Sequence, residues 1–154
     1  MSFTMTSTAV TPEAAIPKAH TGEGIDRSPP LAWSGAPAGT KYFALVCEDP
    51  DAPVGNWVHW TLYDLPAQVT SLAEGVGKNP SLPSGARQGK NSWGELGYRG
   101  PMPPKGHGRH RYYFRLYALS APTGLPSGAS REELARALEG KVLGRAELMG
   151  TYQR

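Results

Sequence analysis

Short apolar runs separated by turn-forming residues are the dominant pattern of this chain. Residues 42–47 are rich in aromatic and β-branched side chains and are bounded by turn formers, which predicts a buried strand. Residues 57–63 alternate instead. Val58, Trp60 and Leu62 share one face, which is expected to be the core face, while the opposite face is aromatic and polar. Because a short loop joins the two runs, we expect them to form a β-hairpin.

A third strand is predicted over residues 109–119. Its alternation places His110, Tyr112, Phe114 and Leu116 on one face. That face continues into apolar residues, which indicates that it points inward. An inward histidine beside an inward tyrosine makes this strand a candidate wall of a pocket.

The clearest helix signal lies near the C-terminus. Ser130 suits the N-cap position, Glu133 follows it at the spacing of a capping box, and Gly140 suits the C-terminal end. Residues 146–153 alternate again and predict a final strand. These elements together predict a mostly β chain with one short helix near the C-terminus.

The remaining segments are rich in glycine, proline and polar residues. Residues 1–27 carry at most a weak strand around residues 14–20. Residues 74–97 predict a long loop, a kind of segment that often carries function in a compact domain. The length of 154 residues predicts a single domain over 1–154, in which residues 1–20 are the part expected to be loosely ordered.

The composition favours an all-β globular domain. Glycine and proline are abundant, at 19 and 15 residues, yet the apolar fraction of 39% supports a core. Cys47 is the one cysteine, so no disulfide can form within the chain, and it is expected to pack in the core. Since neither a signal sequence nor a membrane-spanning run is recognisable, we expect a cytoplasmic protein. A net charge of +3 tolerates anionic partners without indicating nucleic acid.

A stiff acidic loop, Asp49-Pro50-Asp51-Ala52-Pro53, follows the first predicted strand. Each proline fixes its own φ and pushes the residue before it towards extended geometry. The loop therefore holds its carboxylates at the rim of an apolar layer. In the expected hairpin, Asp49 and His59 lie near the same end.

A glycine-rich basic segment over residues 97–112 leads into the third strand. Its glycines allow close backbone approach, and exposed N–H groups in such a loop can form an anion-binding nest. Positive charge comes from Arg99, Lys105, Arg109 and Arg111. The Gly-Lys-Ser/Thr ending of a nucleotide-binding phosphate loop is absent from the segment.

These motifs resemble the phosphatidylethanolamine-binding protein family, and within it the bacterial branch related to the Raf kinase inhibitor proteins. The resemblance extends from about residue 20 to the end of the chain, and two long motifs in the right order make it specific. The matching pieces are Ser28-Pro29-Pro30-Leu31 with Trp33, Asp49-Pro50-Asp51-Ala52-Pro53, His59-Trp60, and Pro103-Pro104-Lys105-Gly106 with Gly108, His110, Arg111 and Tyr112.

The resemblance implies a β fold in which a large central sheet packs against a smaller sheet. It also implies a small pocket for anions such as phosphate and phospholipid head groups, in a ligand-binding and regulatory module rather than an enzyme. A kinase or a protease is the kind of protein that such a module regulates, and a second copy of the chain is another candidate partner. Neither a cofactor nor a metal is expected. The pocket residues carried over by motif are Asp49, Ala52, Pro53, His59, Pro104, His110 and Tyr112.

Two features depart from the eukaryotic members of the family. Those members often carry His-His where this chain has Val58-His59, and the loop over residues 54–56 is short. Both departures put the partner functions of eukaryotic members in doubt for this chain. The C-terminal tyrosine that closes the pocket of animal members has no safe match, since Tyr152 does not align securely with it.

The candidate residues also suit an anion on chemical grounds. His59 and His110 can each donate an N–H, and Tyr112 adds a hydroxyl donor. Asp49 carries the opposite sign to these donors. It is therefore expected either to orient an imidazole or to meet the ammonium of a zwitterionic head group.

Three other functions stay open at this stage. Asp49, His59 and His110 could perform acid–base hydrolysis of phosphate esters, although no nucleophile motif such as Gly-x-Ser-x-Gly accompanies them. Two histidines and a carboxylate could bind a metal ion, but their spacing is wide and the loop chemistry favours anions. Basic residues between positions 99 and 115 could contact nucleic acid, but their alternation suits a solvated outer surface.

Overall fold

The computed structural model describes residues 2–154, which form two antiparallel sheets and an α-helix. The smaller sheet has the strand order β1-β2-β5, and the larger sheet has the order β6-β4-β3-β7-β8. The predicted mostly β architecture, with a large sheet, a smaller sheet and a short helix, is confirmed. The elements are β1 (Thr4–Thr6), a 3₁₀-helix (Lys18–His20), β2 (Leu31–Ser34), β3 (Tyr42–Asp49), β4 (Trp57–Pro66), β5 (Ser71–Leu72), β6 (Arg87–Gln88), β7 (His110–Leu119), α1 (Arg131–Leu138) and β8 (Val142–Tyr152).

The centre of the larger sheet brings three strand ends together. β3 and β4 form the expected hairpin, in which Asp49 pairs with Trp57. On its other side β3 pairs with β7, where Glu48 lies opposite Tyr113. Because both pairings are antiparallel, the end of β3 lies between the beginnings of β4 and β7. This edge of the sheet collects the residues that the sequence marked as candidates.

Strand β4 is buried on both of its faces. Trp60 and Leu62 pack in the core between the two sheets, as predicted. On the opposite face, Thr61 and Tyr63 are buried as well, and Tyr63 packs in a second apolar cluster with Leu134 of α1. Strand alternation could not reveal this second layer, because the helix that covers it comes from a distant part of the chain.

Part of the segment before β2 packs against the domain. Ile16 is buried, and its N–H donates to the carbonyl of Thr151 over 2.7 Å. The weak strand expected around residues 14–20 is reduced to a single bridge between Ala15 and Thr151, followed by the 3₁₀-helix. Met1, which the expectation of loose order also covered, lies outside the described residues.

Cys47 lies in β3 and is buried, as expected. Burial raises the pKa of its thiol well above the ordinary value, and the carboxylates of Glu48 and Asp49 raise it further. The thiol therefore stays protonated at neutral pH and is shielded from reagents in solution.

Helix α1 begins at the predicted capping box. The Ser130 hydroxyl accepts from the backbone N–H of Glu133 over 3.1 Å, and the Glu133 carboxylate accepts from the backbone N–H of Ser130 over 2.9 Å. Leu134 and Leu138 are its buried residues, and Gly140 adopts the left-handed conformation beyond its C-terminal end, with φ of 76°. Across residues 2–154, no helix combines the length and the apolar character needed to cross a bilayer.

Removing the cap of α1 is expected to destabilise the fold modestly. We expect Ser130→Ala to lower the free energy of unfolding by about 1 kcal/mol, because a first-turn N–H loses its acceptor. Urea denaturation measures the change. Ser120→Ala is the matched control, since Ser120 is exposed and its hydroxyl has no partner within residues 2–154. An equal loss in both variants would contradict the role of the cap.

Candidate functional site

A cavity of about 280 Å³ opens at the edge of the larger sheet where β3 ends and β4 and β7 begin. All seven residues carried over from the motifs line it, although they come from three separate parts of the chain. The side chains that line the cavity are Asp49, Ala52, Pro53, Val54, Trp57, His59, Trp93, Met102, Pro103, Pro104, His110 and Tyr112.

Asp49 and His110 form a buried pair on one side of the cavity. His110 Nδ1 lies 2.7 Å from Asp49 Oδ2, and the two residues are only 2% and 3% exposed. Because a carboxylate can only accept, Nδ1 carries the proton and Nε2 is the second ring nitrogen of His110. Asp49 Oδ1 accepts from the backbone N–H of Asp51 over 2.7 Å. Of the two roles expected for Asp49, the geometry matches the orientation of an imidazole.

His59 occupies the opposite side of the cavity. Its Nδ1 donates to the backbone carbonyl of Arg99 over 2.6 Å, which leaves Nε2 as the nitrogen available to a ligand. The ring lies edge-on to the rings of Trp93 and Tyr112, at centroid distances of 5.1 and 5.2 Å. Burial lowers the pKa of His59, and the Arg99 carbonyl opposes this effect only in part. The His59 imidazole is therefore neutral at neutral pH.

Tyr112 lies between the two histidines. Its ring is stacked on that of His110 at a centroid distance of 6.4 Å and meets His59 edge-on. Burial raises the pKa of the Tyr112 hydroxyl far above its ordinary range, and the negative charge of Asp49 raises it further. The hydroxyl therefore keeps its proton and is a donor at physiological pH.

His107 is a functional candidate that the sequence pattern did not reveal. Its Nδ1 lies 2.7 Å from Nε2 of His110, so that Asp49, His110 and His107 form a chain of hydrogen bonds. His107 itself is exposed, in the loop between Pro104 and β7. A glycine-rich loop shows no alternation of apolar and polar residues from which the direction of a histidine side chain could be predicted. Only the fold places His107 against His110.

A bidentate ion pair fixes the acidic loop to β7. Arg111 donates from Nε to Asp51 Oδ2 over 2.9 Å and from a guanidinium amino group to Asp51 Oδ1 over 2.8 Å. The backbone N–H of Arg111 also donates to Asp51 Oδ2. These hydrogen bonds lower the pKa of Asp51 to about 2. Asp51 therefore holds the loop over the cavity instead of facing a ligand.

The mouth of the cavity is apolar and aromatic. Val54 and Met102 at its rim are 78% and 44% exposed. The indole rings of Trp57 and Trp93 are perpendicular at a centroid distance of 5.4 Å, and the guanidinium of Arg99 lies 4.6 Å from the centre of the Trp93 ring. Trp57 could have been found from the sequence, because it shares a strand face with His59. Trp93 gave no such signal within the long loop.

The described residues offer no metal site of the usual kind. Among residues 2–154, no group of three or more His, Cys, Asp or Glu side chains has the geometry to hold a metal ion. His59 and His110 direct Nδ1 to a carbonyl and a carboxylate respectively. The atoms that remain are Nε2 of the two imidazoles, which donates to an anion once the ring is protonated, and the Tyr112 hydroxyl, which donates in its neutral form.

Sequence comparison decides the family. The model of the phosphatidylethanolamine-binding protein family matches residues 6–153. The chain belongs to the phosphatidylethanolamine-binding protein family. A relative from Methanothermobacter thermautotrophicus, named UPF0098 protein, is 50% identical over 139 residues, which span 90% of this chain and 91% of the relative.

Solved structures of this family share the fold over the whole chain. The Escherichia coli protein YbcL, described as a member of the mammalian family, superposes with a TM-score of 0.93 at 36% identity and covers 100% of this chain and 99% of its own. A phosphatidylethanolamine-binding protein homologue from Chlamydia trachomatis superposes with a TM-score of 0.90 at 39% identity, covering 99% and 98%. The membership expected from the motifs is confirmed.

Proposed function

We propose that this member of the phosphatidylethanolamine-binding protein family binds a small tetrahedral anion, either phosphate or a phosphorylated head group, without transforming it. The observation that supports the proposal is the convergence of His59, His110 and Tyr112 on one cavity. Each of these side chains is buried, and each can donate to a ligand, the two imidazoles through Nε2 once it is protonated. The cavity is large enough for a small phosphate ester.

The charge of Asp49 does not oppose this proposal. Both of its carboxylate oxygens already accept hydrogen bonds, from His110 and from the backbone of Asp51. The carboxylate fixes the orientation of the His110 ring, so that Nε2 is the nitrogen left for a ligand. A ligand that also carries an ammonium group could place it against the ring of Trp57, since the face of an indole attracts cations.

A binding role fits the cavity better than the alternative, acid–base hydrolysis of phosphate esters by Asp49, His59 and His110. No serine, threonine or cysteine belongs to the part of the described chain that lines the cavity, and Cys47 is buried in the core. A hydrolase would therefore have to activate water directly. Release of nitrophenol from p-nitrophenyl phosphate that disappears in both His59→Ala and His110→Ala would favour the hydrolase.

Calorimetric titration with sulfate, phosphate and phosphoethanolamine tests the proposal. Sulfate is the cleanest probe, because its charge is constant between mildly acidic and mildly basic pH. We expect one site per chain that sulfate and phosphate compete for. The absence of binding by all three ligands in the folded protein would overturn the proposed function.

The affinity for sulfate is expected to fall as the pH rises from about 5.5 to about 8.5. Burial lowers the pKa of His59 in the empty cavity, and a bound anion raises it again. Between these two pKa values each anion is bound together with one proton, so the affinity falls by up to about tenfold per pH unit. Titration in buffers of different ionisation enthalpy measures the proton uptake.

His59→Gln is the matched variant for this pH dependence. Glutamine keeps an N–H donor but takes up no proton, so the slope of affinity against pH is expected to decrease. Equal affinity at both ends of the pH range in the native protein, without proton uptake, would exclude imidazole protonation as part of binding.

The other expectations about partners and location stay predictions. These are regulation of a kinase or a protease, association with a second copy of the chain, absence of nucleic-acid binding, and a cytoplasmic location. Arg111 and Arg115, which alternate outward along β7, are paired with Asp51, Glu48 and Glu147. Their charges are therefore largely compensated, which favours the absence of nucleic-acid binding.

A further inference from the structure

The atom of His110 that the proposed function requires is already occupied by the chain itself. Nε2 is the nitrogen of His110 that remains for a ligand, because Nδ1 is bound to Asp49. This Nε2 lies 2.7 Å from Nδ1 of His107. An anion that binds His110 must therefore displace His107.

The loop that carries His107 is built for such a displacement. Gly106 and Gly108 flank the histidine in left-handed conformations, with φ of 74° and 95°, and a Cβ at either position would have no atom within 4 Å. The backbone N–H of His107 donates to Pro104 over 3.2 Å, and that of Gly106 donates to Arg154 over 3.2 Å. Both bonds are at the long end of the range, so the loop can move without opening the core.

The number of protons on the two imidazoles determines whether His107 and His110 can be hydrogen-bonded to each other. With both imidazoles neutral, His107 Nδ1–H donates to the lone pair of His110 Nε2, and with one extra proton the bond persists. With both rings protonated, neither nitrogen can accept and the bond is lost. The ionisable groups around the pair are Asp49 at the end of β3, Asp51 in the acidic loop, His59 on β4, Arg111 and Tyr112 on β7, Lys105 and Arg109 in the loop, and Arg154 at the C-terminal end.

We propose that His107 is a removable cap of the anion site and that it becomes an additional donor to the anion once it is protonated. This inference rests on the proposed function. Without a bound anion, His107 Nδ1 is hydrogen-bonded to His110 Nε2. A doubly charged anion draws a proton onto each of the two rings, breaks the bond between them and accepts from both. A singly charged anion compensates only one of these charges, so the cap selects for dianions.

The variant His107→Ala tests the cap by titration with sulfate. At about pH 8.5, removal of His107 is expected to raise the affinity about fivefold, because one hydrogen bond no longer has to be broken. At about pH 5.5, its removal is expected to lower the affinity about fivefold, because the variant lacks the donor that a protonated imidazole supplies. Lys105→Ala is the control, since it removes a charge from the same loop without removing the cap, and it is expected to weaken binding slightly at both pH values.

Loss of affinity at both pH values in His107→Ala, or no change at either, would contradict the proposal that His107 caps the anion site. Methyl sulfate adds a second comparison, since it is singly charged and similar in shape to sulfate. The preference for sulfate over methyl sulfate is expected to shrink in the variant at about pH 5.5, because a charged donor has been lost. An unchanged preference would contradict selection by His107.

Nuclear magnetic resonance separates failure of the cap from failure of the proposed function. In the empty native protein, a scalar coupling between ¹⁵N nuclei of His107 and His110 is expected across the hydrogen bond, and sulfate is expected to abolish it. If sulfate does not bind at all, the proposed function fails while the coupling still tests the contact. If sulfate binds and the coupling persists, the cap is wrong and the anion site stands.

Discussion

Replacement of His110 by phenylalanine is expected to weaken the binding of sulfate at about pH 6.5 by about 100-fold. The imidazole supplies a hydrogen bond to a charged ligand in a buried cavity, and loss of a hydrogen bond to a charged group weakens binding by about 10- to 100-fold. The substitution also leaves the Asp49 carboxylate, 3% exposed, without its imidazole partner. Its uncompensated charge then repels the anion. Calorimetric titration of both proteins measures the difference.

A second substitution separates binding from folding. His110→Phe alone is expected to lower the free energy of unfolding by about 3 kcal/mol, since it leaves a buried carboxylate unpaired. Asp49→Asn in the same chain removes that charge and is expected to restore part of the stability, while binding stays weak. If the double variant instead bound sulfate as well as the native protein, the imidazole at position 110 would have no role in binding.

Glu48→Gln is expected to lower the free energy of unfolding by about 2 kcal/mol at pH 7, because two arginines lose a buried anionic partner. Glu48 is 4% exposed and accepts from Arg115, Arg131 and Asn56. Burial alone would raise the pKa of Glu48, but these donors more than compensate and hold it below the ordinary value. Urea denaturation at several pH values measures the loss.

The pH dependence of this loss follows from the lowered pKa. A carboxyl group whose pKa is lower in the folded state stabilises the fold above its unfolded pKa and loses that effect as the pH falls through the folded pKa. The difference between the native protein and Glu48→Gln is therefore expected to shrink in acid. Glu139→Gln is the control, because Glu139 is exposed and its carboxylate has no hydrogen-bond partner in the described chain. A difference that grew in acid would contradict the ionic role of Glu48.

Local pattern was sufficient to predict the framework of the site. The apolar run before Asp49 and the alternation after Trp57 specify two strands, and the short acidic loop between them specifies an antiparallel hairpin. The capping box at Ser130 likewise specified the start of α1. In each case the information lies within a few residues, where backbone restriction and side-chain alternation act directly.

The remaining parts of the site depend on contacts between distant segments. His107 and Trp93 lie in glycine-rich loops, where no periodicity states which way a side chain points. Their positions follow from partners far away in the chain, such as the carbonyl of Arg154 that holds the backbone of Gly106. The same limit explains the burial of Tyr63, which results from the later helix α1.

The shielded thiol of Cys47 makes this protein well suited to site-specific labelling. Since it is the sole cysteine and lies in the core, a maleimide would react only with a cysteine introduced at the surface. Lys105, exposed in the loop beside His107, is a natural attachment point for a fluorophore. Changes in the emission of the fluorophore would then record the displacement of the His107 loop in real time, molecule by molecule.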